Sequence, residues 1–241
     1  MAAAQKQWKV LPHGKLTALD TDMWTVVGEM PLPFGVLPRR MTIVRLWDSR
    51  LVIFSAIALT EEAMRELEGC GVPSFLIVPN AHHRFDARVW KERYPMIKVL
   101  CPSGARAKVQ EVVPVDGTNA DFRDARILFL EVPGTDANEG ALQVTRRPGI
   151  TLILNDLVGN VPRRAGFFGW VLRRLRFSDG GPQIPLPTQA GLIQDRHALR
   201  AQLLRWAALP RLKRVVVSHG AIIDQWPKET LRNLASSLTL D

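Results

Sequence analysis

The stretch Leu76-Ile-Val-Pro-Asn80-Ala-His82-His83-Arg84-Phe85-Asp86 sets an apolar run directly against a turn crowded with amide, imidazole, guanidinium and carboxylate groups. The run Phe75-Leu-Ile-Val lacks the alternation of a half-exposed strand, which predicts a strand buried on both faces. Pro79-Asn80 ends it, and Asp86 is placed to cap a helix over Ala87–Tyr94 that Pro95 stops. Two later stretches repeat the pattern. Leu152-Ile-Leu runs into Asn155-Asp156, and Val215-Val-Val runs into Ser218-His219-Gly220. Ligand sites of open α/β sheets lie beyond the carboxyl ends of strands, so the three ends are candidates for one shared site. Imidazole with carboxylate suits zinc, iron or manganese.

Outward from this centre the chain alternates in type. Trp24–Val27, Met41–Leu46 and Leu51–Phe54 read as short strands, the last two joined by Asp48-Ser-Arg into a hairpin. Thr60 caps a helix with acids in its first turn, stopped by Gly69 or Gly71. Ile97–Leu100 and Val112–Val115 read as strands around a short helix, Ser103–Val109. From Arg126 onward strands return at Ile127–Val132, Ala141–Thr145 and Ile150–Leu154. A helix over Arg163–Phe177 carries Phe168, Val171, Leu172 and Leu175 as an apolar stripe. A Gly/Pro-rich loop spans Ser178–Pro187, and helices follow over Arg196–Leu209 and Lys228–Leu238 about the strand Arg214–Val217. With no repeat or linker, the expectation is one α/β domain over residues 1–241, with a basic helical insertion at about 163–210.

Composition narrows the function classes. The 241 residues are 46% apolar, enough for a core without staples, and Cys70 and Cys101 beside apolar runs are expected as reduced thiols, not a disulfide framework. The run Leu51–Leu59 falls well short of the about 20 residues of a membrane helix, and no signal peptide is legible, so a cytoplasmic protein is expected. No G-x-G-x-x-G, P-loop or G-x-S-x-G occurs. The net charge of +9 is concentrated: residues 163–214 hold 11 Lys+Arg and 2 acids, leaving 21 of each sign elsewhere. It suggests a basic lid or rim that draws an anionic small molecule. Peripheral contact with an acidic lipid surface is a variant, and nucleic acid a weaker one because no nucleic-acid motif occurs. Oligomeric state stays open.

The order of these elements, with the phrases Leu-Pro-His13-Gly, Val-Pro-Asn80-Ala-His-His-Arg-Phe-Asp86, Val-Pro-Val-Asp116-Gly-Thr, Gly166-Phe-Phe-Gly and Val-Ser218-His219-Gly, resembles the metallo-β-lactamase superfamily, within it a divergent uncharacterised branch, a domain of unknown function. The resemblance implies a four-layer αββα sandwich and a metal site. It also marks departures. The superfamily's H-x-H-x-D-H falls on Asn80, His82, Arg84 and Phe85, or, shifted by two, on His82, Arg84, Asp86 and Ala87. The His of its Pro-Gly-His turn falls on Thr135, and its hairpin Asp on Ser55. Asp156 matches the bridging carboxylate and His219 the last His.

The expected donors for one transition metal (zinc, iron or manganese) are therefore His82, His83, Asp86, Asp156 and His219, with Asp86 and Asp156 as catalytic carboxylates. Arg84, Asn80, Arg163, Arg164 and Arg173 are the candidates for binding an anion. Arg84 is also read as a replacement for the missing metal charge, pairing with Asp156. The functional expectation is a mononuclear hydrolase acting on an anionic ester, thioester or phosphoester. Its alternative is a metal-free, non-catalytic relative that binds an anionic ligand or partner. Each donor also has a plain structural use: His82 and His83 as surface turn residues, Asp86 as a cap, Asp156 as a turn former, His219 as a backbone partner. His13 and His197 are read as surface residues.

Overall fold

The computed structural model describes residues 4–33, 35–177 and 180–238, and the chain divides into two compact units, Met1–Leu32 with Val36–Asp124, and Pro33–Gly35 with Ala125–Asp241. Among the described residues there are ten strands in two sheets and seven α-helices, and no helix is long and apolar enough to cross a membrane.

The first unit holds a six-stranded sheet in the order β1 (Thr17–Asp20), β2 (Met23–Leu32), β3 (Gly35–Arg45), β4 (Arg50–Phe54), β5 (Val72–Ile77), β6 (Lys98–Leu100). The expected hairpin is β3–β4, pairing Thr42 with Phe54 and Arg45 with Leu51, and β5 joins β4 and β6 in parallel. Leu76 and Ile77, neighbours on opposite faces of β5, are both buried, as its unbroken apolar run requires. Helix α1 (Glu61–Cys70) is capped by the Thr60 hydroxyl, which accepts from the Ala63 N–H, and ends at Gly71. Helices α2 (Ala87–Arg93) and α3 (Arg106–Gln110) complete this unit.

Its core gathers Met41, Ile43, Leu51, Ile53, Met64, Leu67 and Leu76 around Trp90, which is fully buried and donates from its indole N–H to the Ile57 carbonyl at 3.1 Å. Trp90→Ala is expected to cost about 3–5 kcal/mol, from lost burial, a cavity and an orphaned carbonyl. Denaturant unfolding monitored by far-UV circular dichroism checks this.

The second unit holds β7 (Ile127–Glu131), β8 (Gly140–Arg146), β9 (Gly149–Asn160) and β10 (Leu212–Gly220), in the order β10-β9-β8-β7, with only β9–β10 parallel. Its helices are α4 (Gly166–Arg174), α5 (Leu186–Gly191), α6 (Arg196–Ala207) and α7 (Pro227–Ser237). Asp195 caps α6 by accepting from the Ala198 N–H at 2.9 Å. Leu152, Leu154, Val215 and Val217 pack with Leu199, Leu203, Trp206, Leu231 and Leu234.

Several expectations are corrected. Val112–Val115 forms no strand; a single bridge from Leu100 to Gly117 stands there. Part of the expected Ser178–Pro187 loop begins α5, where Pro185 precedes the helix and Pro187 sits in its first turn; Ser178 and Asp179 lie outside the described residues. The apolar stripe of α4 is only half used: Leu172 is buried, whereas Leu175 is exposed. His13 is a structural link, its Nε2 accepting from the Thr60 N–H at 3.0 Å and its Nδ1 donating to the Gly14 carbonyl at 2.8 Å.

Candidate functional site

The best-defined candidate lies at one end of the β9–β10 pair, and β9 does not end at Asp156 as the sequence suggested. The strand continues to Asn160. Leu154 faces Val217 and Gly159 faces His219, so the four residues 155–158 stand opposite the single Ser218. A bulge of this size removes the regular ladder, and its backbone groups need other partners. Glu139, fully buried, accepts the Asp156 N–H at 3.0 Å. Thr188, from α5, donates its hydroxyl to the Asp156 carbonyl at 2.6 Å. Asp156 is thereby clamped on both sides of its backbone, and its carboxylate reaches His219 Nε2 at 3.0 Å.

His219 is buried, with 4% of its surface exposed. The Phe177 ring meets the imidazole edge-on, centroids 6.0 Å apart. Ser218 donates to Asn155 Oδ1 at 2.5 Å, and Asn155 Nδ2 is buried without a partner. After His219 the backbone turns sharply at Gly220, φ 112°, where a Cβ would sit 2.0 Å from the Asn160 carbonyl oxygen. Gly220→Ala must therefore push β10 off β9 beside the imidazole. We expect a loss of about 2–4 kcal/mol in stability, checked by denaturant unfolding.

The His219–Asp156 pair suits a metal by its donor chemistry. Two ligands of a tetrahedral zinc at about 2.0–2.2 Å stand about 3.3 Å apart, close to the separation here, and a metal would take the place of the imidazole proton. Burial of the ring and clamping of the Asp156 backbone hold both donors in position beforehand.

In the first unit, the turn after β5 is organised by Asn80. Its Oδ1 accepts the N–H groups of His82 at 2.8 Å and His83 at 3.0 Å, so the residue expected to bind an anion has a structural use as the turn's internal acceptor. His82 is exposed. His83 is half-buried and its Nδ1 pairs with Ser55 Oγ at 2.8 Å, at the end of β4. Ser55, read from the resemblance as standing at a carboxylate position, is the partner of a histidine.

Two expectations for this turn are corrected. Arg84 has its guanidinium on Glu111 and the Lys108 carbonyl, in α3 and just after it, so Glu111 takes the role read for Asp156. Asp86 neither caps α2 through its side chain nor faces solvent. Its carboxylate is buried and taken up by Arg39 and Gln5, and Arg39 also lies over the Phe85 ring. Burial pushes the Asp86 carboxyl up, against the pull of Arg39. A carboxylate held in an ion pair inside a core is neither an open ligand nor a base.

The remaining anion candidates, Arg163, Arg164 and Arg173, are exposed on and beside α4, with Arg173 donating to the Arg164 carbonyl. The local charge excess is divided: five arginines surround α4, three lie on α6, and Arg211, Lys213 and Arg214 stand at the start of β10. That start is about 15–25 Å along the strand from His219. A single basic lid built from the whole segment is thus replaced by separate groups, of which α4 connects to His219 through Phe177.

Glu139 and Thr188 escaped the sequence reading. Their only signal is a lone carboxylate before the apolar strand Gly140–Arg146 and a threonine in a Pro-rich segment. Thr135 is buried and closes its own turn by donating to the Val132 carbonyl at 2.7 Å.

No protein-family model matches the chain, and no curated protein matches it. Solved structures do. The mono-zinc form of the metallo-β-lactamase FIM-1 from Pseudomonas aeruginosa aligns with 97% of this chain and 99% of its own, at 14% identity and a TM-score of 0.62. DIM-1 metallo-β-lactamase exposed to ceftazidime aligns with 96% and 100%, at 13% and 0.64. A metallo-β-lactamase from Pontibacter korlensis aligns with 92% and 98%, at 15% and 0.62. The mixed α/β chain, with its two sheets and seven helices among the described residues, has the metallo-β-lactamase fold.

Proposed function

We propose that the chain is a mononuclear metal-dependent hydrolase acting on an anionic ester, thioester or phosphoester. The observation that carries this reading is the buried His219 beside an Asp156 that a strand bulge and two dedicated hydrogen bonds hold in place. Both donors of this reading, His219 and Asp156, come from the β9–β10 pair of the second unit. Asp86 is not part of the set.

A zinc-type ion bound by such donors lowers the pKa of a coordinated water to about 7 and polarises a carbonyl or phosphoryl oxygen. The chain's own residues do the rest. Glu139 and Thr188 fix the Asp156 backbone, which holds its carboxylate in one direction beside the imidazole. Phe177 shields the His219 ring from water. The exposed arginines around α4 attract an anionic substrate toward this end of the β9–β10 pair.

Metal analysis of protein produced with zinc, iron or manganese tests the reading, together with turnover of nitrophenyl esters, thioesters and phosphoesters. One metal per chain and turnover that a chelator removes are expected. Protein that takes up no metal from any supply overturns the reading and leaves the non-catalytic alternative, for which the direct His219–Asp156 hydrogen bond suffices.

A further inference from the structure

We propose that the α4 segment is a surface that docks on anionic lipid bilayers. Residues 162–177 contain five arginines and no acidic residue. The segment leaves the end of β9 and returns to it, with the Val161 N–H donating to the Phe177 carbonyl at 3.0 Å, so helix α4 stands on a closed stem. It is pinned along one side only, where Gly169 and Leu172 are buried. At Gly169 the turn before the helix comes so close that a Cβ would lie 1.8 Å from the Arg164 carbonyl oxygen, which fixes the basic turn against the helix.

The outer face follows from the helical period. Phe167, Trp170 and Arg174 fall at i, i+3 and i+7, with Arg173 beside them. Phe167 is 64% exposed and Trp170 49% exposed, and Leu175 follows at the helix end, also exposed. Large apolar side chains are rarely held in water next to one another, and here the same short segment carries five exposed arginines. That combination fits the interface of a bilayer with acidic headgroups, where aromatic rings sit at headgroup depth and arginines meet phosphates.

Single-stranded nucleic acid fits less well. Base stacking needs bare ring faces along a groove that tracks the backbone, whereas the Phe167 and Trp170 rings stack on each other, centroids 5.8 Å apart and planes at 21°, on the outer side of one helix. The proposal is independent of any metal at His219.

Flotation with vesicles of phosphatidylcholine alone or mixed with phosphatidylglycerol tests it. The protein is expected to float with the mixed vesicles, not with phosphatidylcholine alone, and to be released by salt. Arg173→Gln with Arg174→Gln is expected to weaken partitioning about twentyfold, since each basic residue near such a surface contributes roughly fivefold. Phe167→Ser with Trp170→Ser is expected to weaken it at least as much, and Arg173→Lys with Arg174→Lys to retain binding. Unchanged circular dichroism confirms that these exposed substitutions leave the fold intact. Failure of the wild-type protein to float at low salt, equal binding to both vesicle types, or unaltered binding by the Gln and Ser variants overturns the proposal. So does binding of single-stranded RNA through α4 without vesicle binding.

Discussion

If the proposed metal site exists, replacing His219 by alanine is expected to lower metal affinity by at least about a hundredfold, and any hydrolytic turnover with it. Loss of a mere outer partner of a metal ligand already costs about ten- to a hundredfold, and in the proposed site His219 would supply a donor atom itself. Asp156→Asn keeps the shape and the backbone clamp but removes the anionic donor, so it should lose metal while remaining folded. In the same assay exposed His82→Ala should keep the metal content of the wild type. Metal titration of each purified variant, with circular dichroism as the folding check, decides the set. Equal metal content in wild type and His219→Ala would refute the assignment.

Removing either member of the buried Arg39–Asp86 pair should cost about 3–5 kcal/mol, because the remaining charge is left unmatched in a core that excludes water. Arg39 is already at its limit: its Nε and Nη2 are buried without partners, so Asp86 and the Phe85 ring face are the compensation seen for it. Asp86→Asn keeps a hydrogen-bonding group for Gln5 but discards the charge. Arg39→Met with Asp86→Leu removes both charges together and should recover most of the loss. Denaturant unfolding of the two single variants and the double variant measures the coupling. Metal content per folded molecule should stay unchanged throughout, which separates a structural ion pair from the ligand role that the sequence suggested for Asp86. A single variant within about 1 kcal/mol of wild type would show that the pair is not buried as described.

Strand, hairpin and cap positions were legible where a local rule decides them. The unbroken apolar run before Pro79-Asn80 is a strand with both faces buried, Thr60 caps its helix, and the β3–β4 turn joins neighbours. His219 and Asp156, which meet at 3.0 Å, stood out in the sequence because each follows an apolar strand, where an imidazole or carboxylate has no ready place in a core. The uses of Asp86, Asn80 and Arg84 were not, because several physical roles compete for the same residue type at the same spacing. Asp86 reads as a cap, ligand or base until Arg39, 47 residues earlier, is found against it.

The bulge that sets Asp156 beside His219 was equally hidden. It depends on four residues of β9 facing one of β10, and on Glu139 and Thr188 replacing the lost ladder bonds. By itself the sequence determined which segments are strands and helices, which strand ends carry donors and where positive charge accumulates, since periodicity, capping and composition act over a few residues. Only the tertiary structure decided which partner each of these side chains meets, Arg39 for Asp86, Glu111 for Arg84 and Asp156 for His219. A buried charge or bulged backbone group takes whatever partner the fold brings within 3 Å, however distant in the chain.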